Sequence, residues 1–405
     1  MYAPRPDILA AMRRLRFLTG GESHGPGLTA TLAGLPAGLR VDYGLLARDL
    51  ARRQHGFGRG RRMQIERDAA EVCGGVRGGV TLGSPVILWI ANRDYENWEK
   101  VMGPEVVDPH AAELRRLKAP RPGHADLAGG LKYLRRDLRD ILERASARET
   151  VARVAAGAFA KMLLAEVGTE IRSGVRALGP VGAEAPAPTW DDLLRMDDGS
   201  PLRAIDRSME AEMLRWVERA KDEGDTLGGA VSVIAHGVPA GLGSHVQWDE
   251  KLDGRLAQAV MAVPAVKAVE IGAGLAACRG LGSAAHDAIE HQGGRFIRPT
   301  NRAGGLEGGV TNGEDLVITA YKKPIATLRK GLPSVDLDSL AAHAAQYERS
   351  DVTALPAAGV IAEAMVALVL ADALLEKLGG DSMAELRAHW DATLAQQRAW
   401  PGSGS

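Results

Sequence analysis

Residues 21–39 read "GESHGPGLTATLAGLPAGL", and residues 224–242 read "GDTLGGAVSVIAHGVPAGL". The two stretches align without a gap. Each has a glycine-bearing turn, an apolar run and a Pro-Ala-Gly turn, the pattern of a strand bounded by turns. Two further pairs follow in the same order: "GGVRGGVTLG" (74–83) with "GGLEGGVTNG" (304–313), and "ERAS" (143–146) with "ERSD" (348–351). The offsets are 203, 230 and 205 residues, so the second half has gained and then lost a segment between anchors. Self-similarity over this length makes the repeat the unit of the fold. The expectation is one domain over 15–395, built of two related halves at about 15–200 and 205–395. Residues 1–14 form an N-terminal extension and 396–405 a flexible tail.

Within each half the order of elements is the same. An apolar strand ("LTATLAGL", "AVSVIAHGV") precedes the Pro-Ala-Gly turn, and a helix follows ("YGLLARDLARR", "KLDGRLAQAVMAV"). Further strands come next ("PVILWIANRD", "DLVITAYKK"), with alternating or continuous apolar residues. Each half closes on a long helix, "ETVARVAAGAFAKMLLAEVG" or "AAGVIAEAMVALVLADALLEKLG". Both are too apolar to face water on most sides. A layered α/β body that holds these helices between sheets accounts for them. The second helix carries Glu363, Asp372 and Glu376, which favours a buried core helix over a membrane span. Residues 180–205, rich in Pro and Asp, read as the connector between halves.

The 405 residues carry a net charge of −1, with 45% hydrophobic and 25% charged residues, a balance that fits a globular chain. Near-neutral charge argues against bulk nucleic-acid binding. Two cysteines, Cys73 and Cys278, support neither a disulfide framework nor a zinc cluster. The first residues lack the long apolar core of a signal peptide, so a cytoplasmic protein with no membrane partner is expected. Against this balance "RRQHGFGRGRR" (52–62) stands out, with five arginines, a histidine and three glycines. Such a loop suits a small phosphate- or carboxylate-bearing ligand, which arginine grips with two parallel hydrogen bonds. Phe57 is its only aromatic residue, too few to stack nucleic-acid bases.

The repeat acts as a control: what both halves share is architectural, and what only one half has is a candidate for function. His24 aligns with Leu227, and Ser146 with Asp351. His24 is bordered by a glycine turn. "RPGHAD" (121–126) puts Arg121 and His124 on a Pro/Gly turn. Ser146 and Glu149 have capping-box spacing ahead of an apolar helix, with Arg144 and Arg148 at its start, an arrangement that suits an anion. Asp351 has the position of an N-cap, or faces the same cavity as Ser146. "GPGLTA" (25–30) and "GAGLAA" (272–277) fit a dinucleotide fingerprint only loosely, because Gly34, Pro36 and Gly38 interrupt the helix that the first would need.

These segments resemble the chorismate synthase family. "GESHGPGLTATLAGLPAG", "ERASARETVARVAAGAF" and "RSDVTALPAAGVIAEAM" look like its three signatures. "RRQHGFGRGRRMQIERD", "RPGHADLAGGLKY", "NRAGGLEGGVTNG" and "KKPIATL" also match, over about residues 15–390. The resemblance implies a β-α-β sandwich of two pseudo-symmetric halves. It implies a 1,4-elimination of phosphate from 5-enolpyruvylshikimate 3-phosphate to give chorismate, with reduced FMN required and no net redox change. By the same resemblance, Arg53, Arg59, Arg62, Arg121, Arg148 and Arg349 bind the substrate, and Arg53 and Arg59 also bind NADP. His24 and His124 act as proton donors, and Asp351 assists proton removal. FMN contacts fall on Arg144, Ala145, Ser146, Pro264, Ala265, Gly308, Lys323, Pro324, Ile325, Ala326, Thr327 and Arg349. Ala145 and Pro264 depart from the commonest residues, serine and asparagine, and each loses a polar contact to FMN. The resemblance further implies a homotetramer. No metal is called for, and an external flavin reductase is the expected electron source. A flavin-dependent oxidoreductase of a phosphorylated acid and a non-catalytic binder of a phosphate-rich ligand are the competing readings.

Overall fold

The computed structural model describes residues 14–57, 68–197, 199–293, 295–348 and 351–400. Three of the arginines named above, Arg59, Arg62 and Arg349, lie outside the described residues, as do positions 1–13 and 401–405.

Two four-stranded antiparallel sheets carry the repeat. The first contains β1 (Arg16–Gly21), β2 (Gly27–Ala33), β3 (Glu71–Gly74) and β6 (Val86–Ala91), ordered β1-β2-β6-β3. The second contains β7 (Glu170–Leu178), β8 (Gly229–His236), β9 (Val266–Ile271) and β14 (Leu316–Lys322), ordered β7-β8-β14-β9. The registers coincide as well as the orders. Leu32 pairs with Val86, and Ala235 with Leu316; Val72 pairs with Leu88, and Ile271 with Ile318. A two-stranded hairpin follows the same path in each half, β4 (Val76–Arg77) with β5 (Val80–Thr81), and β12 (Leu306–Glu307) with β13 (Val310–Thr311). Between them a further small hairpin, β10 (Glu290–Gln292) with β11 (Arg295–Ile297), occupies the segment that the second half gained.

The duplicated Pro-Ala-Gly turns owe their shape to a duplicated threonine. Thr81 Oγ1 donates to Pro36 O at 2.6 Å and accepts from Leu39 N at 3.0 Å. Thr311 Oγ1 donates to Pro239 O at 2.6 Å and accepts from Leu242 N at 2.8 Å. Both hydroxyls are buried, so the turn must supply these partners or leave polar groups unsatisfied. The hairpin glycines are shared in the same way: Gly78 and Gly308 have φ of +59° and +63°, a conformation that side chains rarely adopt.

The helices are α1 (Tyr43–Gln54), α2 (Asp126–Tyr133), α3 (Arg139–Ala145), α4 (Thr150–Ala165), α5 (Trp190–Arg195), α6 (Arg207–Asp222), α7 (Leu252–Met261), α8 (Leu355–Leu378) and α9 (Met383–Ala399), with shorter turns between them. α4 packs on β2, β6 and β7, while α8 packs on α4, β7 and β8. The two long helices therefore lie between the sheets, as their composition predicts. α8 is apolar and long enough to cross a membrane, but all its residues except Glu376 and Lys377 are buried inside the protein. Its crossing with α4 is close: a Cβ at Gly157 would lie 2.4 Å from the Ala364 Cβ.

Four expectations need correction. The connector is part of the fold, because α5 lays Leu193 and Trp190 on Ile234 and Val317 of the second sheet. That cover explains why β8 is buried continuously from Ala230 to Ala235 while β6 alternates, with Val86, Leu88 and Ile90 inward and Ile87 outward. Residues 396–399 are not a flexible tail but the end of α9, which starts on a capping box of Ser382 and Glu385 and is held by Gln397 Nε2 donating to Ala240 O at 3.1 Å. Asp351 is not an N-cap, since α8 begins at Leu355 after Ala354. Ser146 caps a 3-10 turn, Ala147–Glu149, with no reciprocal bond from Glu149, whose carboxylate is taken by Thr19 and Arg153 instead.

Candidate active site

The turn Glu22–Pro26, between β1 and β2, presents Ser23 and His24 to α3. Ser23 N donates to Glu143 O at 2.9 Å, and Ser23 Oγ donates to Ser146 Oγ at 3.0 Å. Glu143 takes His24 from two sides, with its Oε2 2.7 Å from the backbone N and its Oε1 2.8 Å from Nδ1. The His24 ring lies against Trp98 at 3.8 Å, and Arg115 and Arg139 stand over the same indole. Arg139 Nη1 reaches Glu143 at 3.3 Å and Nη2 reaches Glu348 at 2.9 Å. Burial pushes the Glu143 carboxyl up, but hydrogen bonding and charge from His24, with Arg139, hold it below the usual range. The Glu143 carboxylate at Nδ1 fixes the orientation of the His24 ring.

Arg53 lies on the last turn of α1, not in the loop that follows it; a cation there suits the helix C-terminus. Its Nη2 pairs with Asp68 Oδ2, and Arg148 Nη1 lies 3.5 Å from the other Asp68 oxygen. Arg53 is buried, and its Nε has no hydrogen-bond partner among the described residues. Because Arg148 follows Ser146 by two residues, this pair adjoins the His24 cluster. Arg144 turns away and grips β1, its Nη2 donating to Thr19 O at 2.9 Å and to Thr19 Oγ1 at 2.6 Å. Ala145 ends α3 beside it.

The "RPGHAD" turn forms a second cluster. Arg121 donates to Asp126 through Nε at 2.8 Å and Nη2 at 2.9 Å, and through Nη1 to Thr327 Oγ1 at 3.0 Å. His124 Nδ1 is 2.5 Å from Asp126 Oδ1. Burial raises the Asp126 pKa, but the His124 and Arg121 hydrogen bonds win and drive it well below the ordinary range. Lowered carboxyls such as Asp126 and Glu143 contribute stability that is fully present above the ordinary carboxylate range and is lost as pH falls below that range through their lowered values. Lys323 Nζ donates to Gly123 O, and Lys323 N donates to Ala265 O at 2.9 Å. Ala265 has φ +68°, strained for a residue with a Cβ. Ile325 O accepts from Thr226 Oγ1 at 2.7 Å. The run Lys323, Pro324, Ile325, Ala326 and Thr327 thus meets Pro264–Ala265 on one side and Arg121–Asp126 on another. Gly308 is set by its hairpin, like Gly78.

The repeat places Asp351 as well. Leu227, the counterpart of His24, donates from N to Val352 O at 2.9 Å, just after half-buried Asp351. The segments around Ser23 and Thr226 are matching cradles, one holding Glu143 and Ser146, the other Ile325 and Val352. The two clusters share a scaffold: Leu138 N donates to Leu117 O at 2.9 Å, and Gln346 N to Ala119 O at 3.3 Å. Sequence reading missed Glu143, Asp126, Asp68, Trp98 and Arg139. Glu143 was in view as part of a repeated "ER" pair, and Asp126 lies two residues from His124; both signals were legible. Asp68 and Trp98 had none.

What these clusters offer is two histidine–carboxylate pairs amid buried guanidinium groups, fit to hold a polyanion and move protons beside it. The chorismate synthase family model matches residues 15–375. The chorismate synthase of Carboxydothermus hydrogenoformans is 53% identical over 376 residues, 93% of this chain and 97% of that protein. That of Moorella thermoacetica is 57% identical over 368 residues, 91% of this chain and 95% of that one. A crystal structure of chorismate synthase superposes with a TM-score of 0.76 at 41% identity, covering 95% of this chain and 98% of the other. The chain belongs to the chorismate synthase family, the lyases that eliminate phosphate from 5-enolpyruvylshikimate 3-phosphate to make chorismate on the route to the aromatic amino acids.

Proposed function

We propose that the two histidine–carboxylate clusters are the two proton-handling ends of one site, with substrate anions between them and reduced FMN alongside. The observation that carries this reading is that His24 and His124 each hold Nδ1 against a buried carboxylate, Glu143 and Asp126. A carboxylate there fixes the orientation of the ring and which nitrogen carries the proton, and so suits it to proton exchange. His124, beside Arg121, protonates the leaving phosphate, and His24 supplies the second proton site. Arg53, Arg121 and Arg148, with Arg59, Arg62 and Arg349, bind the phosphate and carboxylates of the substrate. The buried Arg53 Nε, with no partner among the described residues, suits such an anion. Asp351 accepts a proton.

The same donors fit a flavin. Lys323–Thr327 offers backbone and one ammonium, Pro264–Ala265 packs beside it, and Ser146, Ala145 and Arg144 lie with the arginines; Gly308 and Arg349 complete the set. Reduced FMN, when bound, supplies an electron-rich ring that can lend an electron for phosphate loss and recover it. The alanine at 145 and the proline at 264 supply no side-chain hydrogen bond and lower FMN affinity without touching the chemistry. Arg53 and Arg59 also receive NADP. The assembly is a homotetramer in the cytoplasm, fed by an external flavin reductase.

The test is anaerobic turnover of 5-enolpyruvylshikimate 3-phosphate with chemically reduced FMN, following chorismate. His24→Gln and His124→Gln should each cut turnover by about 10²–10⁴, the usual contribution of a positioned acid or base. Full turnover in both would remove the histidines from the chemistry.

A further inference from the structure

Arg52 and Arg53 are neighbours on the last turn of α1 and point to different places. Arg53 pairs with Asp68 at the site; Arg52 enters the core. Its Nη2 and Nη1 fork onto Glu363 of α8 at 2.7 and 2.9 Å, and Nη1 also meets Asp49 at 3.0 Å. Lys161 of α4 bonds Asp49 and Glu363 at 2.6 Å each, and Ser173 of β7 donates to Glu363 at 2.6 Å. Arg203 Nη2 stands 4.0 Å from the same carboxylate. Glu363 is wholly buried in a largely apolar helix, and Asp49 is nearly so.

As a stabilising device this network is poor. Burying charges costs several kcal/mol per ion, and well-packed apolar side chains often do as well. What a bidentate guanidinium–carboxylate pair gives instead is direction. The Arg52–Glu363 fork joins the end of α1 to the second half's core helix and fixes the rotation of that last turn. On a helix, consecutive side chains diverge by about 100°. Seating Arg52 therefore settles where Arg53 points.

We propose that Arg52, seated on Glu363, is a positioning residue for Arg53, delivering that guanidinium to Asp68, which Arg148 also approaches, and to the substrate anion. The proposal rests on the reading of Arg53 as a substrate ligand. It also gives the second half a role in a binding contact made by the first.

A double-mutant cycle tests it, with KM for 5-enolpyruvylshikimate 3-phosphate and kcat measured for Arg52→Gln, Arg53→Gln and the pair, alongside thermal melts. Arg52→Gln should raise KM about tenfold in the wild-type background, with kcat within about threefold, and should leave KM unchanged in the Arg53→Gln background. Arg52→Lys, which keeps the charge and loses the fork, should fall between. If Arg52→Gln does not fold, Glu363→Gln takes its place in the cycle with the same expectation. A lowered melting temperature with unchanged KM, or effects on KM that simply add, would overturn the positioning role. An unchanged KM in Arg53→Gln alone would overturn the reading of Arg53 itself, and the proposal with it.

Discussion

Thr81 and Thr311 hold the same turn in the two halves with the same pair of hydrogen bonds, whereas His24 and Leu227 stand at matching positions and do different things. His24 is pinned by Glu143 through its backbone and its ring; Leu227 packs against the main core and lends its backbone N–H to Val352. The duplicated parts are sheets, hairpins, turn threonines and core helices. The unduplicated parts are the segment 92–142, which supplies Arg121, His124 and Asp126, and the arginine-rich segment that follows α1. A repeat of this kind gives two equivalent cradles. Chemistry then follows from what each cradle is given to hold, so symmetry in the frame coexists with asymmetry in the site.

The sharpest way to break that picture is at Asp351, the counterpart of Ser146. Because α8 starts at Leu355, Asp351 does not cap it. Asn keeps the size and shape of the side chain, so Asp351→Asn should fold as the wild type does while turnover drops by about 10²–10⁴. Ser146→Ala, which loses the bond to Ser23, should cost much less turnover. Equal losses in the two variants, measured anaerobically with reduced FMN, would mean that the cradles are functionally equivalent.

Next in size is Gly157→Ala, at the crossing of the two core helices. Alanine normally favours a helix over glycine by about 1 kcal/mol. Here the new methyl would sit 2.4 Å from the Ala364 Cβ and 2.6 Å from its Cα, which is backbone and cannot swing aside. Overpacking should win, with a net loss of about 3 kcal/mol. A denaturation midpoint unchanged in Gly157→Ala would show that the halves are less tightly joined than this contact implies.

A smaller effect tests the shared frame. Thr81→Val and Thr311→Val are near in shape and each removes one buried hydroxyl, stranding a backbone N–H and a carbonyl. Each should cost about 1–2 kcal/mol. Because the hydrogen bonds match, the two losses should agree, and the double variant should show their sum. Unequal losses in chemical denaturation would mark one turn as carrying more than architecture.

Most of the frame was legible because strands and core helices announce themselves through apolar period and through the repeat. β8 was legible as a strand, but the cause of its burial on both faces was not, since α5 covers it from a segment that reads as a linker. The candidate site was legible where one residue type stands out from its counterpart, as at His24. It was illegible where function is a pairing across the chain. Nothing near Asp68 says that it will meet Arg53 and Arg148, and nothing around Trp98 says that it will back His24. Arg52 and Arg53 read as one basic cluster, yet the helix sends one into the core and the other to the site.

The smallest expected effect has the opposite sign and sets the Gly157 argument against its control. Gly254 also lies inside a helix, α7, but on the exposed side of the second half, and a Cβ there would meet nothing within 4 Å. Neither its backbone conformation nor its surroundings call for glycine. Gly254→Ala should then stabilise the protein by about 0.5–1 kcal/mol, chiefly by restricting the unfolded chain. A modest rise in the denaturation midpoint, with KM and kcat unchanged, is the expected result. If Gly254→Ala destabilised the protein as Gly157→Ala should, helical glycine would matter here for a reason other than close approach. The loss at Gly157 could then no longer be assigned to the contact between the two halves.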